Sequence, residues 1–230
     1  MEQQPARSAT VRVRIALDVI CVHSYLGYTR FTRAADRLRA EGHRVQVEFL
    51  PFELAPGAGT DAEPLLPVLE RVFGPQAVRQ TLRFAEQAAT EGLELHYERA
   101  LATGTFEAHR LIARAARQGR AEEMVERLFR AHFTDGLHIG DPATLARLAG
   151  EVGVTAGESG PATAESAQKT SAEATAETGR LHAELDRVRG LGVTGVPVFF
   201  VDGAPPLTGS QPEAVLLSAL RQAARSAPHG

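Results

Sequence analysis

The sequence predicts an α/β chain in which a single sheet is built from both ends, in the order β-α-β and then β-β-α, around an inserted all-helical segment. Three observations predict it. Apolar, β-branched runs with strand character lie near the ends, at 11–20, 43–52 and 196–202. The stretch from 61 to 189 carries helical spacing throughout. Asp202-Gly203 marks a hairpin turn between the last two strands.

The first run, 11–20, alternates and reads as a strand, and 25–40 follows as a helix stopped by Glu41-Gly42. A second strand over 43–52 leaves through Pro51 and Pro56-Gly57. Two strands joined by a helix imply parallel pairing with a right-handed crossover. Helices are expected over 64–73 and 75–91, each opened by a proline suited to a first turn. Two more follow over 105–118 and 121–133, broken by Gly119 and Gly136. Asp141-Pro142 supplies an N-cap and an N1 proline for a helix ending near 150–153. The Ala/Thr/Glu/Ser-rich segment 156–178 is either a linker or a solvated helix, and the glycine-free run after Pro161 favours the helix. Leu181, Leu185, Val188 and Leu191 give an amphipathic helix over 181–191. The strand 196–202, a short return strand at 206–208 and a helix over 211–225 close the chain. The expected division is one discontinuous domain of 11–60 and 190–225, and an inserted helical domain of 61–189.

Composition sets the class. With 230 residues, 43% apolar and 23% charged, the chain is an ordinary globule with ample core. A net charge of −3 gives no reason to expect nucleic acid or a membrane surface as partner. No apolar run approaches the length of a membrane span, and the polar residues 1–10 show no secretory signal. One cysteine excludes an internal disulfide, and a reducing cytoplasm is the expected location.

That cysteine, Cys21, falls on the turn between the first strand and the first helix. Backbone N–H groups and the helix dipole favour negative charge there and lower a thiol pKa. The plainer reading is a small buried hydrophobe. A Cys-x-x-Cys pair would use positions 21 and 24, but position 24 is serine. Near the other end, Gly190-Leu191-Gly192-Val193-Thr194-Gly195 matches G-x-G-x-x-G formally. It follows a helix and precedes a strand, the reverse of a dinucleotide site, so no such cofactor is inferred. Val196-Pro197 puts a proline at the entry of a buried strand. It is either a plain strand-start proline or a cis bond whose neighbouring backbone groups can bind an extended ligand.

These features resemble the DsbA-like thioredoxin-fold family, within it the FrnE-type and 2-hydroxychromene-2-carboxylate isomerase-like group. The residues that carry the resemblance are Asp18-Val19-Ile20-Cys21-Val22-His23-Ser24-Tyr25-Leu26-Gly27, Pro51-Phe52-Glu53-Leu54, Thr105-Phe106-Glu107-Ala108-His109-Arg110-Leu111, Ile139-Gly140-Asp141, Thr194-Gly195-Val196-Pro197 and Ser210-Gln211-Pro212. It spans about 11–220 and implies a thioredoxin fold with the Val196-Pro197 loop facing Cys21. The motif itself is atypical. Redox members have Cys-Pro-Trp-Cys where this chain has Cys21-Val22-His23-Ser24, and glutathione-using relatives have serine in place of the first cysteine. Gly104 and Ala55 stand where many relatives have asparagine.

The candidate catalytic residues are Cys21, His23 and Ser24. As a cation His23 would lower the Cys21 pKa, as a base it would shuttle a proton, and as a solvated helix-start residue it would do neither. Ser24 either bonds the thiolate or caps the helix. Candidate substrate-binding residues are Val196, Pro197 and Tyr25 with, by resemblance, His109 and Arg110. Arg110, Arg114 and Arg117 form a basic stripe that is either a solvated face or an anion site. His96, His132 and His138 have no ligand spacing, and no metal is expected.

A lone thiolate can add to a conjugated double bond, allow rotation and leave again without redox change. The leading expectation is therefore a cis/trans isomerase of a conjugated small-molecule or polyketide-type substrate, with Cys21 as nucleophile and His23 managing the proton. The alternatives are a monothiol oxidoreductase resolved by glutathione, and a binding protein that has lost redox activity. No cofactor is required, with glutathione the one candidate. The expected partner is a small-molecule substrate, free or tethered to a carrier protein, and a homodimer is allowed.

Overall fold

In the computed structural model, β1 (Thr10–Leu17) and β2 (Arg44–Pro51) pair in parallel, with Thr10 opposite Arg44 and Leu17 opposite Pro51. The crossover is α1 (Val22–Ala40). The structure describes residues 8–155 and 164–227, with backbone alone over 164–171. Residues 1–7, at the polar start, and 156–163, in the stretch read as linker or helix, lie outside the described residues.

The last strands join the same sheet. β5 (Val198–Val201) lies antiparallel to β1, and β6 (Leu207–Thr208) antiparallel to β5, giving the order β2-β1-β5-β6. β1 is central. Its Val11, Val13, Ile15 and Leu17 are buried on one face, as the two-residue period of a strand requires. That face is covered by α1 and by α8 (Glu213–Ser226). Ala16 points the other way, into a smaller cluster with Leu50, Phe52, Val188, Val193 and Val198.

Between the two halves lie α2 (Leu65–Phe73), α3 (Pro75–Ala89), α4 (Phe106–Arg117), α5 (Ala121–Phe133), α6 (Pro142–Glu151) and α7 (Ala164–Gly190). Asp141 caps α6, its Oδ2 accepting the Thr144 N–H at 2.8 Å. Met124, Leu128, Phe129 and Leu148 from these helices share one continuous core with Ile15, Phe31 and Phe199 of the sheet and its helices. Each fully buried side chain of this size contributes about 2 kcal/mol. Among the described residues no helix is long and apolar enough to cross a membrane.

Several boundaries differ from the sequence reading. β1 ends at Leu17 and α1 begins at Val22, so residues expected at the strand end form the turn that carries Cys21. A two-residue pair, β3 (Glu63–Pro64) with β4 (Leu101–Ala102), interrupts the segment read as wholly helical. Two residues are too few to show a period. Over 164–190 a single helix, α7, joins what read as two pieces. The Gly190–Gly195 stretch ends α7 and leads to β5, and Gly192, at φ +82°, makes the turn.

Candidate functional site

The site forms where β1 ends. The Cys21 N–H bonds the Asp18 carbonyl at 3.0 Å, closing a tight turn, and Cys21 then takes the N-cap position of α1 with extended backbone (φ −91°, ψ 111°). The second wall is the Val196-Pro197 loop, whose peptide bond is cis. The Cys21 Sγ–H donates to the Val196 carbonyl at 3.5 Å, within reach for sulfur. Gly27, one and a half turns along α1, allows this approach. A Cβ there would sit 2.9 Å from Pro197 Cγ and 3.3 Å from the Ser210 backbone. The loop is held from below by the Gly209 N–H on the Pro197 carbonyl at 2.8 Å.

The thiol is not the exposed, depressed-pKa group that the helix start suggested. Cys21 is buried, at 7% exposure, and burial pushes its pKa up from the usual thiol value. The Ser24 hydroxyl and the N–H groups of Ser24 and His23 pull the other way, while the Asp18 carboxylate adds to the rise. The helix start does favour the thiolate, as argued from sequence. Desolvation is larger.

Ser24 is fully buried in the first turn, and its Oγ has no hydrogen bond of ordinary geometry. It does not cap α1, because Cys21 holds that position. His23 points away, edge-on to Phe84 of α3 with centroids 4.8 Å apart. Partial burial lowers its pKa below the usual imidazole value, which favours the neutral ring at pH 7. It thus fits a base or a packing residue better than a cation beside the thiol.

The other candidates are dispersed. Val196 and Pro197 lie at the thiol and line an open groove of about 470 Å³ with Leu191, Thr194, Pro206 and Thr208. Tyr25 is in the core, its ring stacked 4.9 Å from Phe129 and 5.9 Å from Phe133. His109 is buried behind the turn. Its Nε2 lies 3.0 Å from the Phe52 carbonyl and 3.4 Å from Asp18 Oδ1, two acceptors, so that nitrogen carries the proton. Arg110 turns to α7, where Arg110, Arg114 and Arg117 all bond Glu177. The basic stripe is a clamp on another helix.

Sequence reasoning passed over several buried polar residues. Asp18 was seen only as part of a motif, yet it is fully buried, with Oδ2 accepting the Leu54 N–H at 2.8 Å. Tyr97 and His132 come from the segment before β4 and from the last turn of α5, and both are buried. Their distance along the chain from Cys21 hid them; a lone histidine on an otherwise apolar face at 128–133 was the one available signal. Among the described residues no cluster of His, Cys, Asp and Glu could hold a metal ion.

Comparison with known proteins agrees with this architecture. The model of the DSBA-like thioredoxin domain family matches residues 12–221. A probable DsbA oxidoreductase from Streptomyces coelicolor, SCO1869, superposes with a TM-score of 0.78 at 31% identity, covering 95% of this chain and 92% of that one. A 2-hydroxychromene-2-carboxylate isomerase superposes at 0.64 with 17% identity, over 93% and 96% of the two chains. The cytosolic disulfide reductase DsbM from Pseudomonas aeruginosa does so at 0.57 with 21% identity, over 92% and 99%. The last two likenesses are likenesses of fold.

Proposed function

We propose that this chain, which belongs to the DSBA-like thioredoxin domain family, is a single-thiol oxidoreductase in which Cys21 exchanges with a disulfide lying along the Val196-Pro197 loop. The observation that carries the reading is the Cys21 Sγ–H on the Val196 carbonyl, at the edge of an open groove. The Streptomyces relative described as a probable DsbA oxidoreductase, at 31% identity, supports it. The Cys21 thiolate attacks one sulfur of the disulfide, forms a mixed disulfide and releases the other sulfur as thiolate. The sequence has no second cysteine to resolve that bond. An external thiol, glutathione in this proposal, attacks the substrate sulfur, carries it away as a new disulfide and returns Cys21 reduced.

The second reading is the cis/trans isomerase expected from sequence. Ser24, in place of a second thiol, favours it, because addition and elimination at one sulfur need no resolving partner. Cys21 would add to the conjugated bond and leave after rotation. Intact mass after incubation with oxidised glutathione separates the two. The oxidoreductase gains one glutathionyl group at Cys21 and loses it to excess reduced glutathione with turnover. Isomerisation of a Z-configured conjugated ketone without any such adduct overturns the exchange reading in favour of the second.

A further inference from the structure

Gly27 and Arg30 lie one turn apart on the face of α1 that meets the Val196-Pro197 loop and the segment supporting it. Gly27 leaves room for the loop, and Arg30 holds the support. The Arg30 Nη1–H donates to the Ser210 carbonyl at 2.6 Å. Next to Ser210, the Gly209 N–H donates to the Pro197 carbonyl at 2.8 Å. Next to Pro197, the Val196 carbonyl accepts the Cys21 Sγ–H at 3.5 Å. The supporting segment follows β6, a two-residue strand at the sheet edge, and Gln211 bonds only its near neighbours, the carbonyls of Gly209 and Thr208. Among the described residues its hydrogen-bonded tie to α1 is Arg30. The rest of the guanidinium faces the inserted helices. Nε donates to Glu91 Oε2 at 2.8 Å and Nη2 to Glu91 Oε1, a two-pronged grip just past the end of α3. Arg33 Nη2 holds the Glu91 backbone carbonyl at 2.5 Å. The same α3 carries Phe84, edge-on to His23, two residues from the thiol.

We propose that Arg30 is a positioning residue for Cys21: through Ser210 and Gly209 it sets how closely the Val196 carbonyl stands to the thiol, and through Glu91 it makes that closeness answer to the inserted helices. Arginine suits the task. Its planar group aims five donors in fixed directions, so a carboxylate on one edge and a carbonyl on another are held at a set separation. A lysine ammonium carries the same charge and fixes no such separation. Bonds from a charged donor are about twice as strong as neutral ones, and a thiol is a weak donor. The Sγ–H bond therefore follows the loop and does not lead it. The Val196 carbonyl accepts from the protonated sulfur and offers the thiolate nothing. Its approach favours the thiol, and its withdrawal frees the nucleophile. A substrate that displaces α3 beside Phe84 thus also loosens the restraint on sulfur. The inference takes from the exchange reading only that Cys21 is the reacting atom, which the isomerase reading shares.

The test uses no substrate, so its outcome is separate from the choice between the two reactions. Thiolate absorbance near 240 nm, with Cys21→Ala as blank, follows the only thiol in the chain as pH is raised. The rate of alkylation by iodoacetamide at a pH below the midpoint follows its access. Asp18, the charged group that acts on the thiol, is unchanged in every variant. Arg30→Met removes the fork and keeps an unbranched stem. It is expected to shift the titration downward, giving about threefold more thiolate at a given pH below the midpoint, and to speed alkylation by about the same factor. Arg30→Lys keeps the charge without the fork and is expected to shift with Arg30→Met. Glu91→Gln keeps the Ser210 bond, weakens the hold on α3, and is expected to shift the same way by a smaller factor. It carries the test alone if the Arg30 variants do not fold. Arg37→Met cuts a different tie of α1, the one to Glu213 of α8 at 2.9 Å, and is expected to leave both readouts at the parent values. Unmoved readouts in Arg30→Met or in Glu91→Gln, parent values in Arg30→Lys, or a shift in Arg37→Met equal to that in Arg30→Met overturn the proposal.

Discussion

Two polar clusters in this molecule follow opposite rules. At the α4–α7 contact, Glu177 is 8% exposed and both carboxylate oxygens are met by arginines: Arg117 on Oε1, Arg110 and Arg114 on Oε2. At the Cys21 turn Asp18 and Ser24 are buried more deeply, and the Ser24 hydroxyl has no partner of ordinary geometry. An unmatched buried polar atom costs about 1–3 kcal/mol. The Glu177 carboxylate is met at both oxygens, with Arg110 Nε left open among the described clamp atoms, whereas the open hydroxyl of Ser24 lies one helical turn from the thiol. The first cluster fastens a helix. The second surrounds the reacting thiol, and both belong to one chain.

The largest effect should come from the reacting atom. Cys21→Ala is expected to lower activity by at least about a thousandfold in either thiol exchange or isomerisation, since both run through a bond to Sγ. The same variant should leave thermal stability nearly unchanged, because Ala fills the site with the loss of one sulfur. A variant that kept full activity would place the chemistry elsewhere and dissolve the contrast between the two clusters.

Next in size is an acid effect at the buried His132. Burial, partly opposed by the Asp18 carboxylate, holds the His132 imidazole at about 4, against about 6.5 when unfolded. The folded state therefore binds fewer protons than the unfolded state between those values. Its advantage is complete above about pH 6.5 and declines as the pH falls toward 4, by roughly 3 kcal/mol. Denaturant titrations at pH 7 and pH 4.5 measure this. His132→Phe should show a much flatter dependence over the same window, and a parent-like slope in that variant would assign the acid sensitivity to another group.

Gly27→Ala tests the wall in front of the thiol. The new Cβ would meet Pro197 Cγ at 2.9 Å and the Ser210 backbone at 3.3 Å, so the loop must move. Overpacking of this kind costs about 1–3 kcal/mol. The Val196 carbonyl would draw away from Sγ, and alkylation of Cys21 by iodoacetamide should become faster. A lowered melting temperature with an unchanged alkylation rate would mean that the carbonyl does not restrain the thiol.

The contrast also explains what the sequence could reveal. β1, β2, α5 and the Asp141-capped α6 were legible because each carries a period or a cap within a few residues. Cys21 and the Val196-Pro197 loop were legible as local oddities, a lone thiol at a strand end and a proline at a strand start. The setting of Asp18 was not, because its partners Leu54 and His109 come from distant segments that only the folded chain brings to the turn. Arg110, Arg114 and Arg117 were visible as a stripe, but their partner lay in an Ala/Thr/Glu-rich segment with no pattern to mark one glutamate among several. Spacing shows which side chains share a face. It does not show what that face meets.

The smallest expected effect falls on the satisfied cluster and serves as the control for all the others. Burial alone would raise the Glu177 pKa, but Arg117, Arg110 and Arg114 overcome it and hold the carboxyl at about 2. Its contribution is present above about 4.5, the ordinary carboxyl value, and is lost as the pH falls toward 2. The arginines are partly open to solvent, Arg117 most of all at 55%, so screening limits the cluster to about 1 kcal/mol. Glu177→Gln should therefore lower stability by about that amount, less in high salt. Amide exchange should rise along α7 near residue 177 and stay unchanged at 18–24. The Cys21 titration should not move at all, since no atom of the clamp bonds the thiol turn. If Glu177→Gln shifted that titration, the two clusters would be one coupled network, and the separation between fastening and reacting groups would fail.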